Sequence, residues 1–117
     1  VVAAVDVDGL KAANDTYGHA AGDRMLKSLA RIFLRSVRQS DVVIRMGGDE
    51  FLLIFWNGEM EGLETKMLKI LAKAREKKIG FSYGLAAVEE GDKAARKINE
   101  ADERMYGMKK KNKAGRD

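Results

Sequence analysis

Two carboxylates, Asp49 and Glu50, follow a pair of glycines, Gly47 and Gly48, between two apolar runs. Val42-Val43-Ile44 lies upstream and Phe51-Leu52-Leu53-Ile54-Phe55-Trp56 downstream. The spacing predicts a β-hairpin with Gly47 and Gly48 at its tip. Glycine serves where the backbone needs positive φ or a ligand must come close. Adjacent acids repel unless a cation or a proton lies between them. The tip is therefore expected to hold a metal-bound phosphate. A third acid, Asp6, falls at the carboxyl end of the apolar run Val1 to Val7, where open α/β sheets place their ligands. If that strand lies beside the hairpin, Asp6 and Asp49 face each other. Two carboxylates plus substrate phosphates are what Mg2+ requires, because it retains waters and rarely takes an all-protein cage. Asp6 could instead cap the helix that follows. Beside Asp49 and Glu50, metal binding is the better reading.

Lys11, Asn14, His19 and Asp23 fall in a polar, glycine-punctuated segment, Gly9 to Gly22 and its border. One reading makes it a solvated loop or short helix, with Asp15 or Asp23 capping the next helix. A second gives Asn14 and Asp23 a joint use. A carboxylate accepts from both N1–H and N2–H of guanine, and an amide donates or accepts at the same edge. Such a pair selects guanine over adenine. His19 is the sole histidine, and with no partner nucleophile it argues against a serine triad. It reads as a residue that orders the loop.

These residues need a scaffold. Apolar positions at Met25, Leu26, Leu29, Ile32, Phe33 and Val37 follow helical spacing, as do Met60, Leu63, Met67, Leu71 and Ala74. Ala94, Ile98, Ala101, Met105 and Met108 mark a third helix, and Phe81 to Val88 reads as a strand. The order is β-α-β-β-α-β-α. This predicts an α/β (α+β) domain over residues 1–117, a mixed sheet with helices packed on it. At 117 residues the chain is large enough to bury roughly two-thirds of its unfolded surface. It begins at Val1 within an apolar run and reads as a piece of a longer polypeptide. Cysteine is absent, which excludes thiol chemistry and suits a reducing, cytoplasmic setting. No signal peptide or membrane-length apolar run is present.

The net charge of +4 is local. Of 22 Lys and Arg residues five lie at Lys109, Lys110, Lys111, Lys113 and Arg116, and of 18 acids one is Asp117, so the rest carries 17 charges of each sign. A basic tail could meet nucleic acid, a membrane or a phosphate ligand, although a solvated end is the simpler expectation for most of it. A neutral body argues against a nucleic-acid-binding domain.

Asp6-Val7-Asp8-Gly9-Leu10-Lys11, then Asn14-Asp15, Gly18-His19 and Gly22-Asp23, followed by Arg45-Met46-Gly47-Gly48-Asp49-Glu50-Phe51, closely resembles the GGDEF-domain diguanylate cyclases. The resemblance runs from the first strand to Lys113 and lacks the family's amino-terminal helix and turn. It implies a nucleotidyl-cyclase or palm-like sheet, and the conversion of two GTP molecules to cyclic di-GMP with release of pyrophosphate. It implies that Asp6 and Asp49 bind Mg2+ or Mn2+ with the backbone carbonyl of Val7. Glu50 becomes a second metal ligand or the base for the attacking 3′-hydroxyl. Asn14 and Asp23 match the guanine readers. Lys11 and the amides around Gly9 and Leu10 match phosphate contacts, as do Lys109 and Lys113. The family usually has arginine at the last position, and lysine there keeps the charge but loses the planar fork. Each domain would hold one GTP, so both bonds form between two facing domains, a homodimer that an upstream sensory or dimerising domain assembles.

Arg38-Gln39-Ser40-Asp41 precedes Gly47 at the spacing of the family's inhibitory site, where arginine and aspartate hold the product cyclic di-GMP. Alternatively Arg38 favours a helix C-terminus and Asp41 opens the next strand. The chain departs from the family at Gly9 and Leu10, where many relatives carry an aromatic. A short Lys77–Gly84 stretch suggests that a peripheral hairpin is missing, and no closing strand is evident in Asn112 to Asp117. The competing readings are a catalytically silent module that binds GTP or cyclic di-GMP, and a mononucleotide cyclase. Asp49 and Glu50 speak against the first, and Asn14, Asp23 and the two-glycine turn against the second.

Overall fold

The computed structural model describes residues 1–114. Eight elements follow in order: β1 (Val2–Asp8), α1 (Leu10–Tyr17), α2 (His19–Ser36), β2 (Val42–Gly47), β3 (Glu50–Ile54), α3 (Met60–Glu76), β4 (Gly80–Ala86) and α4 (Ala94–Ala114). The strands form one sheet in the order β2-β3-β1-β4, and every neighbouring pair is antiparallel. The α/β class expected from the sequence stands, but the sheet is not mixed. The helical crossovers do join strands of like direction, as expected. Hairpin strand β3 and central strand β1 lie between those strands, giving a split βαβ arrangement.

Alternation along the strands decides what packs where. Odd positions of the sheet, among them Val5, Val7, Phe51, Leu53 and Phe81, meet α2 and α3 in the larger core. Phe33 of α2 sits edge-on to Phe51 and Phe81, each with ring centroids 5.4 Å apart. Even positions Val2, Ala4, Leu52 and Ala86 meet Ala101 and Met105 of α4 in a second core. Strand β1 is thus covered on both faces, which explains why its sequence is a continuous apolar run. Helix α4 lies so close to β4 that a Cβ at Gly84 would overlap the Ala101 carbonyl.

Two local expectations are corrected. The segment after β1 is helical almost throughout: α1 fills it, and α2 begins at His19, so that residue opens a helix rather than ordering a loop. Asp15 and Asp23 lie inside α1 and α2, while Gly18 occupies the cap between them with no side-chain bond. The basic tail is helical, part of α4, and Lys110, Lys111 and Lys113 are solvent-exposed as expected, whereas Lys109 is partly covered. Asn112 is helical as well. Arg116 and the expected absence of a strand beyond Ala114 lie outside the described residues.

Candidate active site

The acidic end of the sheet is built by register. Asp6 stands opposite Glu50 on β3 and Ser82 on β4. The Val7 amide donates to the Asp49 carbonyl at 2.8 Å and pins the hairpin tip against β1. The tip differs slightly from expectation: Gly47 ends β2, after a bulge between Arg45 and Gly47, and the turn residues are Gly48 and Asp49. Neither Gly47 nor Gly48 has positive φ, and a Cβ at either would meet nothing within 4 Å. The demand for glycine there is not conformational, and open space beside the acids is what remains.

Carboxylate oxygens of Asp6, Asp49 and Glu50 lie within 4.8 Å of one another. Asp6 is only 6% exposed, and Lys109 of α4 is ion-paired to it. Burial pushes the Asp6 carboxyl up; the Lys109 bond pulls it down, and neighbouring Asp49 pushes it up again, with a net rise. Glu50 is raised too, by burial first and then by Asp6, Asp102 and Asp49. For Lys109 burial works against the charge, but the bond to Asp6 outweighs it and the net shift is upward. Three hard oxygen donors crowded so closely, with mutual repulsion only partly offset by one ammonium, fit a divalent cation such as Mg2+ or Mn2+.

Beside the acids opens a cavity of about 550 Å³, lined by Val7, Gly9, Leu10, Lys11, Asp49, Lys109 and Lys113 among others. Gly9 takes the left-handed conformation, φ 74°, that turns β1 into α1, and no side chain caps the helix. The first-turn amides of α1 therefore point outward without an internal partner, as an anion site requires. The cavity also takes in Asp15, which lies inside α1 and caps no helix.

The two guanine-reading candidates are brought near each other but not into this cavity. The Asn14 side chain packs on α2 so tightly that a Cβ at Gly22 would overlap its Oδ1. That oxygen is buried without a hydrogen-bond partner among the described residues. Asp23, next in sequence to Gly22, is exposed and borders a separate hollow of about 260 Å³ with Lys27 and Arg45.

Arg38 and Asp41 lie at the other end of the sheet, engaged with each other. The Asp41 carboxylate receives the Arg38 amide at 2.9 Å and the Trp56 amide at 3.2 Å, with the Arg38 guanidinium 3.5 Å away. Arg38 also donates to the Trp56 carbonyl. Asp41 is covered completely, whereas the Arg38 side chain is 53% exposed.

Two contributors were missed in sequence. Arg45 reaches over the hairpin tip, donating to the carbonyls of Gly47 at 3.3 Å and Gly48 at 2.9 Å. Asp102 of α4 shares a small hollow with Glu50 and adds to its upward shift. An acid between Ala101 and Met105, beside the apolar stripe of α4, was the available signal for the second. Nothing in the local spacing marked the first.

Comparison with known proteins shows the family. Residues 1–115 match the diguanylate cyclase GGDEF domain family. The probable diguanylate cyclase DgcJ of Escherichia coli strain K12 is 39% identical over 97% of this chain, which spans 23% of that protein. The cyclic di-GMP phosphodiesterase PdeR of the same strain is 33% identical over 90% of the chain and 17% of its own length. The GGDEF domain of DgcB from Caulobacter crescentus, solved in complex with c-di-GMP, superposes with a TM-score of 0.86 at 26% identity, covering 93% of this chain and 71% of that one. The chain therefore spans about a quarter or less of these curated relatives, and with a family match over nearly its full length it belongs to the GGDEF family of diguanylate cyclase domains.

Proposed function

We propose that this domain is one half-site of a diguanylate cyclase, joining two GTP molecules into cyclic di-GMP with release of pyrophosphate. The observation that carries the reading is the convergence of Asp6, Asp49 and Glu50 oxygens within 4.8 Å beside a cavity walled by helix amides and lysines. Asp6, Asp49 and Glu50, with the Val7 carbonyl, would hold Mg2+ or Mn2+. Such a metal would supply a lowered pKa for the 3′-hydroxyl and charge neutralisation on the α-phosphate and leaving group. Glu50, exposed at the edge of the cluster, is the second metal ligand or the base that takes the hydroxyl proton. The amides at Leu10 and Lys11 and the ammonium groups of Lys11, Lys109 and Lys113 bind the phosphates. The Asp23 carboxylate accepts from the guanine N1–H and N2–H, and the Asn14 amide reads the same edge.

One nucleotide per domain requires a facing second copy, so the active species is a homodimer, at least transient. The longer relatives support an upstream domain that assembles it. Fusing the chain to a constitutive dimeriser should raise turnover, and no gain would count against that arrangement. Product feedback is assigned to Arg38, whose exposed guanidinium can turn from the Trp56 carbonyl to a guanine edge or phosphate, with Asp41 as its anchor.

Incubation with GTP and Mg2+, resolved by chromatography, tests the whole. Cyclic di-GMP supports the proposal, and cyclic GMP or unreacted GTP from a dimerised form defeats it. A silent, nucleotide-binding module is the second reading, favoured by the likeness to a phosphodiesterase. Binding of GTP without turnover would establish it. Among the described residues no helix is long and apolar enough to cross a membrane.

A further inference from the structure

Helix α4 is fastened along most of its length by apolar contacts, and then it runs out of them. Ala101 and Met105 are buried in the second core, and the Met108 sulfur accepts the Tyr83 amide at 3.3 Å. The next five residues, Lys109-Lys110-Lys111-Asn112-Lys113, contain no apolar side chain. Four ammonium groups in five positions repel one another, so this end of the helix needs specific ties to stay on the sheet. One is the ion pair of Lys109 with Asp6.

The other runs through Asn112. Ser82 on β4 is wholly buried, so its hydroxyl must be paired. It donates to Asp8 Oδ1 at 3.0 Å and accepts from Asn112 Nδ2 at 3.1 Å. Asn112 Nδ2 also lies 3.5 Å from Asp8 Oδ2. This relay links α4, β4 and the end of β1. Asp8 immediately precedes Gly9, where the chain turns into the first-turn amides of α1. Lys109, Asn112 and Lys113 stand at i, i+3 and i+4, on one helix face, and all three line the 550 Å³ cavity.

Resting on the functional reading above, we infer that Asn112 is a positioning residue. Through Ser82 and Asp8 it sets α4 against the sheet, so that Lys113 and Lys109 form the cationic wall of the phosphate cavity opposite the α1 amides. It touches neither the nucleotide base nor the reacting oxygen, so its effect falls on phosphate affinity and not on the chemical step.

Three measurements on Asn112→Ala test this. Affinity for inorganic tripolyphosphate, and for a non-hydrolysable GTP analogue with Mg2+, should fall about tenfold, the scale of one hydrogen bond involving a charged partner. KM should rise to match, with kcat within about twofold of the parent. Amide exchange in residues 109–114 should quicken, and Asn112→Gln, which keeps the donor, should restore much of the affinity. In a Lys113→Ala background the same substitution should cost less affinity than in the parent, because part of its effect acts through that ammonium. Unchanged tripolyphosphate affinity, unchanged exchange, full additivity with Lys113→Ala, or a loss confined to kcat would each overturn the inference. Failure of the parent chain to bind the GTP analogue would sink the functional reading instead, with tripolyphosphate affinity and exchange still deciding the role of Asn112.

Discussion

Asp6 and Asp41 are both covered carboxylates, each beside a basic side chain, at opposite ends of one sheet, yet their environments push them in opposite directions. Asp41 sits among donors: two backbone amides and a guanidinium converge on it, and although burial works against the charge, those bonds hold its carboxyl below the usual range. Asp6 sits among acids: Lys109 is one cation against Asp49 and Glu50, and burial dominates, so its carboxyl is held above the usual range. One end spends its polar groups on closing a loop. The other keeps them unbalanced, which is the signature of a site built for a charged ligand.

The sharpest way to break this contrast is Asp49→Asn. Cyclic di-GMP formation should fall by about a thousandfold or more, the scale seen when a charge-stabilising group leaves a reacting centre. Thermal stability in EDTA should hold or rise, since a repulsive charge is removed. A large drop in melting temperature would show that the acids are structural after all. Arg45→Ala comes next: without its two bonds to the tip carbonyls, activity should fall by roughly tenfold at unchanged fold, because small misplacements at a reacting centre are costly. Activity equal to the parent would remove Arg45 from the account.

Stability against pH sharpens the same comparison. The lowered Asp41 pKa contributes stability above its unfolded value of about 3.8, lost as pH falls through the folded value. The raised Asp6 and Glu50 act the other way: the folded state binds their protons more tightly, so metal-free stability falls as pH rises through their folded values. Melting in EDTA should therefore peak in mild acid. Asp41→Ala should remove the acid-side decline and cost about 1–3 kcal/mol near neutrality by leaving amides unpaired, while Asp49→Asn should flatten the decline toward neutral pH. A curve with no dependence on either substitution would refute the assignment. The smallest effect is expected for Arg38→Ala, a few-fold rise in activity at high product concentration with little change at low; identical product inhibition would end the feedback role.

Most of the fold was legible because apolar period reports burial. The continuous apolar runs of β1 and β3 and the helical stripes of α2, α3 and α4 are set by which faces must leave water. Segment Gly9 to Gly22 stayed open between loop and short helix because α1 buries no residue completely, so it carries no apolar stripe to announce it. Lys109 was assigned to phosphate only through family resemblance; its bond to Asp6, 103 residues away, has no local trace. The same holds for Asn112 with Ser82 and for Arg38 with Trp56.

The order and spacing of Asp6, Asn14, Asp23 and the Gly47–Glu50 turn were enough by themselves to mark the family resemblance, because residue type and strand-end position limit what a group can bind. Which strands are neighbours, that β3 slides beside β1 to bring three acids together, and that α4 folds back to set its lysines there, were decided only by the tertiary structure. Side chains far apart in sequence acquire partners, and shifted pKa values, only when packing of the two cores fixes where each element lies.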